Sequence, residues 1–132
     1  MKGAYYFITF HALGNRFSDE EIGLIRSQII SGQNKYYSLI AVQVMPDHVH
    51  LILKLIDSVS LGKTMQWIKG STARLVNKSR DERGSLWMID YHDRIIRHQQ
   101  EFDEKLKYMY ENPVRAGIVE NPENYWGWYL QQ

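Results

Sequence analysis

The sequence predicts an α+β domain in which strand, helix, strand, strand, helix and strand follow one another and a last helix ends the chain. Three observations carry this prediction. Stretches rich in β-prone residues, each bounded by turn formers, alternate with segments whose apolar residues recur at helical spacing. A proline-aspartate pair joins two of the strands directly. The length of 132 residues suits one domain, so residues 1–132 are read as a single unit without internal repeat or linker.

Residues 5–11 open the fold as a strand rich in aromatic and β-branched side chains. Ser18 then precedes the acidic turn Asp19, Glu20 and Glu21, which suits the positive end of a helix dipole. Ile22, Ile25 and Ile29 continue it as a helix that stops at Gly32. Residues 36–45 form the second strand, Pro46 and Asp47 the turn, and residues 48–55 the third strand, paired with the second as a hairpin. Ser60 caps a second helix whose apolar stripe is Leu61, Met65, Ile68, Thr72 and Leu75. Residues 93–97 make a fourth strand. Residues 99–112 make a third helix, expected to stop near Pro113 because proline disfavours helical geometry in the residue before it. The order matches the split βαβ, or ferredoxin-like, plan: an antiparallel sheet with helices on one face, leaving the other face open for a site.

Composition narrows the chemistry. With 44% hydrophobic, 13% aromatic and 23% charged residues the chain can bury a core and is not a disordered segment. No apolar run approaches the ~18 residues of a membrane span and no leader pattern opens the chain, so a cytoplasmic protein without a membrane partner is expected. The absence of cysteine excludes disulfides, thiolate metal sites and thiol nucleophiles. The net charge of +1 is small, but from Leu61 to Arg80 there are Lys63, Lys69, Arg74, Lys78 and Arg80 and no acid. Such a one-sided helix is either a solvated face or a surface for a phosphate backbone.

His48 and His50 stand two apart in the third strand, so both rings project from one side, while Val49, Leu51, Leu53 and Leu55 project from the other. The apolar side suits the helix-covered core, which puts the histidines on the open face. Two imidazoles on a rigid strand can chelate a divalent ion; each can also simply hydrogen-bond a neighbour. A third donor would come from Asp47, His92, Asp93, Asn112 or the glutamates. On the last helix Phe102, Leu106 and Met109 form the buried stripe and Tyr108 shares a flank with Asn112. Tyr110 lies about 200° around the axis from Tyr108, so one straight helix cannot present both phenols to one site.

These residues together resemble a known family. The run Val44-Met45-Pro46-Asp47-His48-Val49-His50-Leu51-Ile52-Leu53 resembles the histidine, hydrophobic, histidine motif of the HUH single-tyrosine transposases, in particular the REP-associated, or insertion sequence 200-like, tyrosine transposases. Further matches follow in order at Leu61 to Lys69, Gly70, Arg74, Trp87 and the run from Tyr91 to Arg97. The last is Tyr108-Met109-Tyr110-Glu111-Asn112-Pro113-Val114-Arg115-Ala116-Gly117-Ile118-Val119. The resemblance implies cleavage and rejoining of single-stranded DNA through a covalent 5′-phosphotyrosine, with a free 3′ hydroxyl. It implies that Tyr108 is the nucleophile, that His48 and His50 hold a metal, and that Asn112 is the third ligand. It also implies hairpin DNA as partner and a homodimer as the working form.

The residue types fit that chemistry. A phenol, with a reference pKa of about 10, is a poor nucleophile at neutral pH unless a cation assists at the phosphate. Imidazole and amide donors suit Mn²⁺ and tolerate Mg²⁺. Lys63, Lys69, Arg74, Lys78, Arg94 and Arg97 are the expected DNA contacts, and Trp67 either stacks on unpaired bases or packs in the core. Two other readings remain: a non-catalytic module that binds structured DNA or RNA, and a metal-dependent hydrolase that uses water.

Overall fold

The structure, a computed structural model, describes residues 4–132. Its strands are β1 (Tyr5–His11), β2 (Tyr37–Val44), β3 (His48–Leu55), β4 (His92–Ile96) and β5 (Trp128–Leu130). Its helices are α1 (Asp19–Ser31), α2 (Leu61–Arg80) and α3 (Gln99–Arg115), with one 3₁₀ turn at Pro122–Asn124. The strands form one sheet in the order β4-β1-β3-β2-β5, and every pairing is antiparallel. The expected ferredoxin-like α+β plan is present, extended at one edge by β5.

Local sequence explains the helix ends. Ser18 and Glu21 form a reciprocal capping box at the start of α1, which satisfies two backbone donors that a helix start leaves unpaired. Ser60 accepts from the Lys63 amide at the start of α2, and Asp81 closes α2 in the left-handed conformation. Glu21 also receives the Arg80 guanidinium at 2.6 Å, tying the first turn of α1 to the last turn of α2. That contact holds the Glu21 carboxyl below its ordinary range despite partial burial.

The two sheet faces differ. Tyr6, Ile8 and Phe10 of β1 and Val49, Leu51 and Leu53 of β3 point to one side, where they pack with Ile22, Ile25 and Ile29 of α1 and Met65, Ile68 and Val76 of α2. Val76 takes the buried place expected of Leu75, which is only half-buried. On the other side Ala41, Ile52 and Ile96 meet Met109, Phe102 and Leu106 of α3. The face expected to be open is therefore partly covered by the third helix, and that cover brings Tyr108 to the histidines.

Two further departures have physical causes. The third helix runs through Pro113 to Arg115 instead of stopping before the proline, because Gln43 takes over the hydrogen bond the ring cannot make. The chain end adds β5 along β2, held by Tyr125 Oη donating to the Val44 carbonyl at 2.6 Å. Gly127 is required there, since a Cβ would run into that same carbonyl.

Candidate active site

The site is built where β1, β3 and α3 meet. The antiparallel register sets His11 opposite His48 and Thr9 opposite His50, and on the outer side of β1 Thr9 is opposite His92. Because side chains alternate along a strand, these residues share the α3 face. The rings of His48 and His50 lie 4.7 Å apart, edge to face. Phe7 stacks on His50 at 5.6 Å and His11 on His48 at 5.3 Å.

Each of the paired histidines has its Nδ1 engaged. His48 Nδ1 lies 2.7 Å from Asp47 Oδ1 and His50 Nδ1 lies 2.8 Å from Thr9 Oγ1. The Asp47 carboxylate can only accept, so His48 donates Nδ1–H and in the neutral ring its Nε2 keeps a free lone pair, the tautomer a metal-binding histidine requires; the Thr9 hydroxyl is able to accept from His50 Nδ1–H in the same way. His50 is only 6% exposed. Burial, reinforced by the neighbouring His48, pushes its pKa down to about 3, so the ring is neutral at physiological pH and available as a donor. Burial opposes ionisation of Asp47, but the hydrogen bond and charge of His48 outweigh it and lower its pKa.

The donor chemistry thus fits a divalent ion at the histidine pair. Among the described residues no group of three or more histidine, aspartate or glutamate side chains is arranged to hold a metal. Asn112, one of the expected third donors, is buried in α3 one turn after Tyr108.

α3 turns Tyr108 toward this cluster. Its ring meets His50 edge to face at 5.6 Å, and the residue remains 48% exposed. Tyr110 points elsewhere and packs on Trp128 at 5.2 Å. One cation flanks the phenol and a second lies nearby on the same helix: the Arg115 guanidinium lies 4.1 Å from the centre of the Tyr108 ring and donates to the Tyr108 carbonyl, while Lys105 Nζ lies 5.0 Å from the ring of Phe7, which stacks on His50.

The expected DNA-contacting residues divide between the faces. Lys63, Arg74 and Lys78 are exposed on α2, in the layer opposite Tyr108. Lys69 points its ammonium at the Met88 and Ile89 carbonyls, 2.7 Å from each, so it braces a loop. Arg94 shares the tyrosine face, with Phe7 opposite it, and pairs with Glu101 at the start of α3. Arg97 is exposed just beyond β4. Trp67 stacks on Tyr36 at 4.4 Å and is half-buried.

Sequence reading missed Thr9, His11, Gln43, Lys105 and Arg115. Lys105 and Arg115 were within reach of it, lying three residues before and seven after Tyr108, on its side of a helix. The strand residues required a register that only the folded sheet defines.

Known proteins resemble this chain in sequence and in fold. A candidate REP-associated tyrosine transposase of Haemophilus influenzae is 26% identical over 133 residues, covering 90% of this chain and 75% of that protein. The fold is shared with a REP-associated tyrosine transposase solved bound to a REP hairpin, with a TM-score of 0.81 at 20% identity over 95% of this chain and 75% of that one. A candidate transposase from Deinococcus radiodurans R1 superposes with a TM-score of 0.56 at 19% identity, over 85% of this chain and 92% of that one. No helix among the described residues is long and apolar enough to cross a membrane. The model of the family "Transposase IS200 like" matches residues 16–112, a stretch that includes His48, His50 and Tyr108, and the chain belongs to that family.

Proposed function

We propose that this chain, acting as one catalytic domain, cleaves and rejoins single-stranded DNA at hairpin-associated sites through a covalent 5′-phosphotyrosine on Tyr108. The observation that carries the reading is the meeting of the Tyr108 ring with His50 at 5.6 Å, beside His48, on one face of the sheet. His48 and His50 would hold a divalent ion, Mn²⁺ or Mg²⁺, through their Nε2 atoms, with Asn112 as third ligand. When bound, that ion would polarise the phosphoryl oxygen and orient the leaving group.

The chain's own residues do the rest. Tyr108 Oη forms a bond to phosphorus as the bond from phosphorus to the 3′ oxygen breaks; the phenol gives up its proton and the 3′ oxygen takes one. The phosphoester is conserved, so attack by a 3′ hydroxyl on the same phosphorus restores the strand and frees the phenol without ATP. Thr9 and Asp47 hold the two imidazoles in the donor tautomer. Arg115 and Lys105 provide positive charge beside the phosphate. Lys63, Lys69, Arg74, Lys78, Arg94 and Arg97 remain the proposed backbone contacts. Because Lys63, Arg74 and Lys78 sit on the α2 layer, a strand that touches them and Tyr108 must pass round a sheet edge or be shared between two copies. A homodimer in the cytoplasm is the form proposed. The fold partner solved with a REP hairpin supports hairpin DNA as the substrate class.

The test is incubation with end-labelled hairpin single strands and Mn²⁺, followed by denaturing electrophoresis. A strand that stays attached to protein, requires the metal and disappears in Tyr108→Phe supports the proposal. DNA binding without attachment points to the non-catalytic binding module, and free cleaved ends that survive Tyr108→Phe point to a hydrolase.

A further inference from the structure

Gln43 is a polar side chain with no solvent exposure, placed in a strand whose other buried residues are apolar. Its orientation depends on an irregularity. The pairing of β2 with β3 slips between Leu39 and Ala41, as a β-bulge does, so Ile40 and Ala41 in succession join the α3 face. Leu39 before the bulge and Val42 and Val44 after it face the α1 and α2 core. Without the extra residue Gln43 would share the face of Leu39; with it, Gln43 turns under α3, beside His50 on one neighbouring strand and Trp128 on the other.

There its Nε2 donates to the Met109 carbonyl at 3.0 Å. In a regular helix that carbonyl would accept from the amide four residues later. The residue four later is Pro113, which has no N–H. Gln43 therefore supplies from the sheet the donor that the helix lacks. Only an amide nitrogen can donate to a carbonyl, so this bond also fixes where Oε1 lies, and Oε1 is buried without a hydrogen-bond partner.

We infer that Gln43 is a positioning residue for the strand-cleavage reaction: it pins the turn of α3 that carries Tyr108 to the strand beside His50, so that the spacing of phenol and metal site is set across the sheet. Met109 is the immediate neighbour of Tyr108, and Gln43 is the cross-strand neighbour of His50, so one amide links the two halves of the site. The inference rests on the proposed function for its kinetic consequence, but the docking itself does not.

The experiment uses Gln43→Met, Pro113→Ala and the double variant. In Gln43→Met the single-turnover rate of DNA attachment at saturating hairpin strand should fall about 10–100-fold, the cost of a displaced reacting group, while DNA affinity and Mn²⁺ affinity keep wild-type values. The Pro113→Ala change gives the Met109 carbonyl a partner within the helix. If Gln43 merely satisfies that carbonyl, the double variant will attach DNA as fast as Pro113→Ala alone; if it positions Tyr108, the double variant stays slow although folded.

A Gln43→Met protein with the wild-type rate, a double variant that recovers, or a loss of Mn²⁺ affinity in step with the rate would each overturn the inference. Should Gln43→Met fail to fold, the double variant decides. Should the wild-type protein attach no DNA, the proposed function fails, and the docking is read instead from the ¹⁹F resonance of 3-fluorotyrosine at position 108, assigned with Tyr108→Phe. A resonance moved or broadened by Gln43→Met upholds the docking, and an unchanged one refutes it.

Discussion

The two faces of the sheet are made by alternate residues of the same strands, yet they obey opposite rules. Toward α1 and α2, β1 and β3 offer Ile8, Phe10, Val49, Leu51 and Leu53, all fully buried and apolar. Toward α3 the neighbouring positions are Thr9, His11, His48 and His50, joined by Gln43 from β2; Thr9 bonds His50, Asp47 bonds His48 and the Gln43 amide nitrogen bonds Met109. Period-two alternation lets one strand serve stability on one side and chemistry on the other. The difference teaches that the site can be altered severely with little effect on the fold, and the reverse.

The sharpest way to break that comparison uses adjacent residues. Leu51→Ala, on the apolar face, should cost about 2–5 kcal/mol in urea unfolding through the cavity it leaves. His50→Ala, one residue away on the other face, should cost less stability but abolish Mn²⁺ binding measured by titration calorimetry. Equal losses of stability would mean that both faces are core.

A smaller effect tests how the apolar layer is fastened. The Glu21 carboxyl is held below its ordinary value of 4.5 by Arg80, so its contribution is present above that pH and is lost as pH falls through the lower value of the folded state. Arg80→Met should remove about 1 kcal/mol at pH 7 and flatten the dependence of unfolding free energy on pH below about 5. A dependence unchanged by the substitution would show that the pair is idle. Ser18→Ala removes only one side of the capping box and should cost about 1 kcal/mol in the same assay, with no change in DNA attachment.

Much of this architecture was legible in the sequence because its signals are local. Ser18 and Glu21, the isoleucines of α1, the Pro46-Asp47 turn and the alternation through His48 and His50 fix β1, α1, β3 and the shared face of the histidines to the residue. What escaped depends on partners distant in the chain. Pro113 reads as a helix stop until Gln43, 66 residues earlier than Met109, is seen to fill the gap. The bulge at Leu39 and Ala41, the addition of β5 and the placement of Thr9 beside His50 all arise from register. The basic helix was readable as basic, and the split βαβ plan already placed it on the layer away from the histidines.

The central claim is that one phenol, from the helix that lies over the histidines, becomes bonded to DNA. It is tested most directly by trapping the product with a hairpin strand, digesting it with nuclease and trypsin, and locating the retained phosphate by mass spectrometry. The account predicts the modification on Tyr108. Finding it on Tyr110, which packs against Trp128, or on any other residue would contradict the assignment.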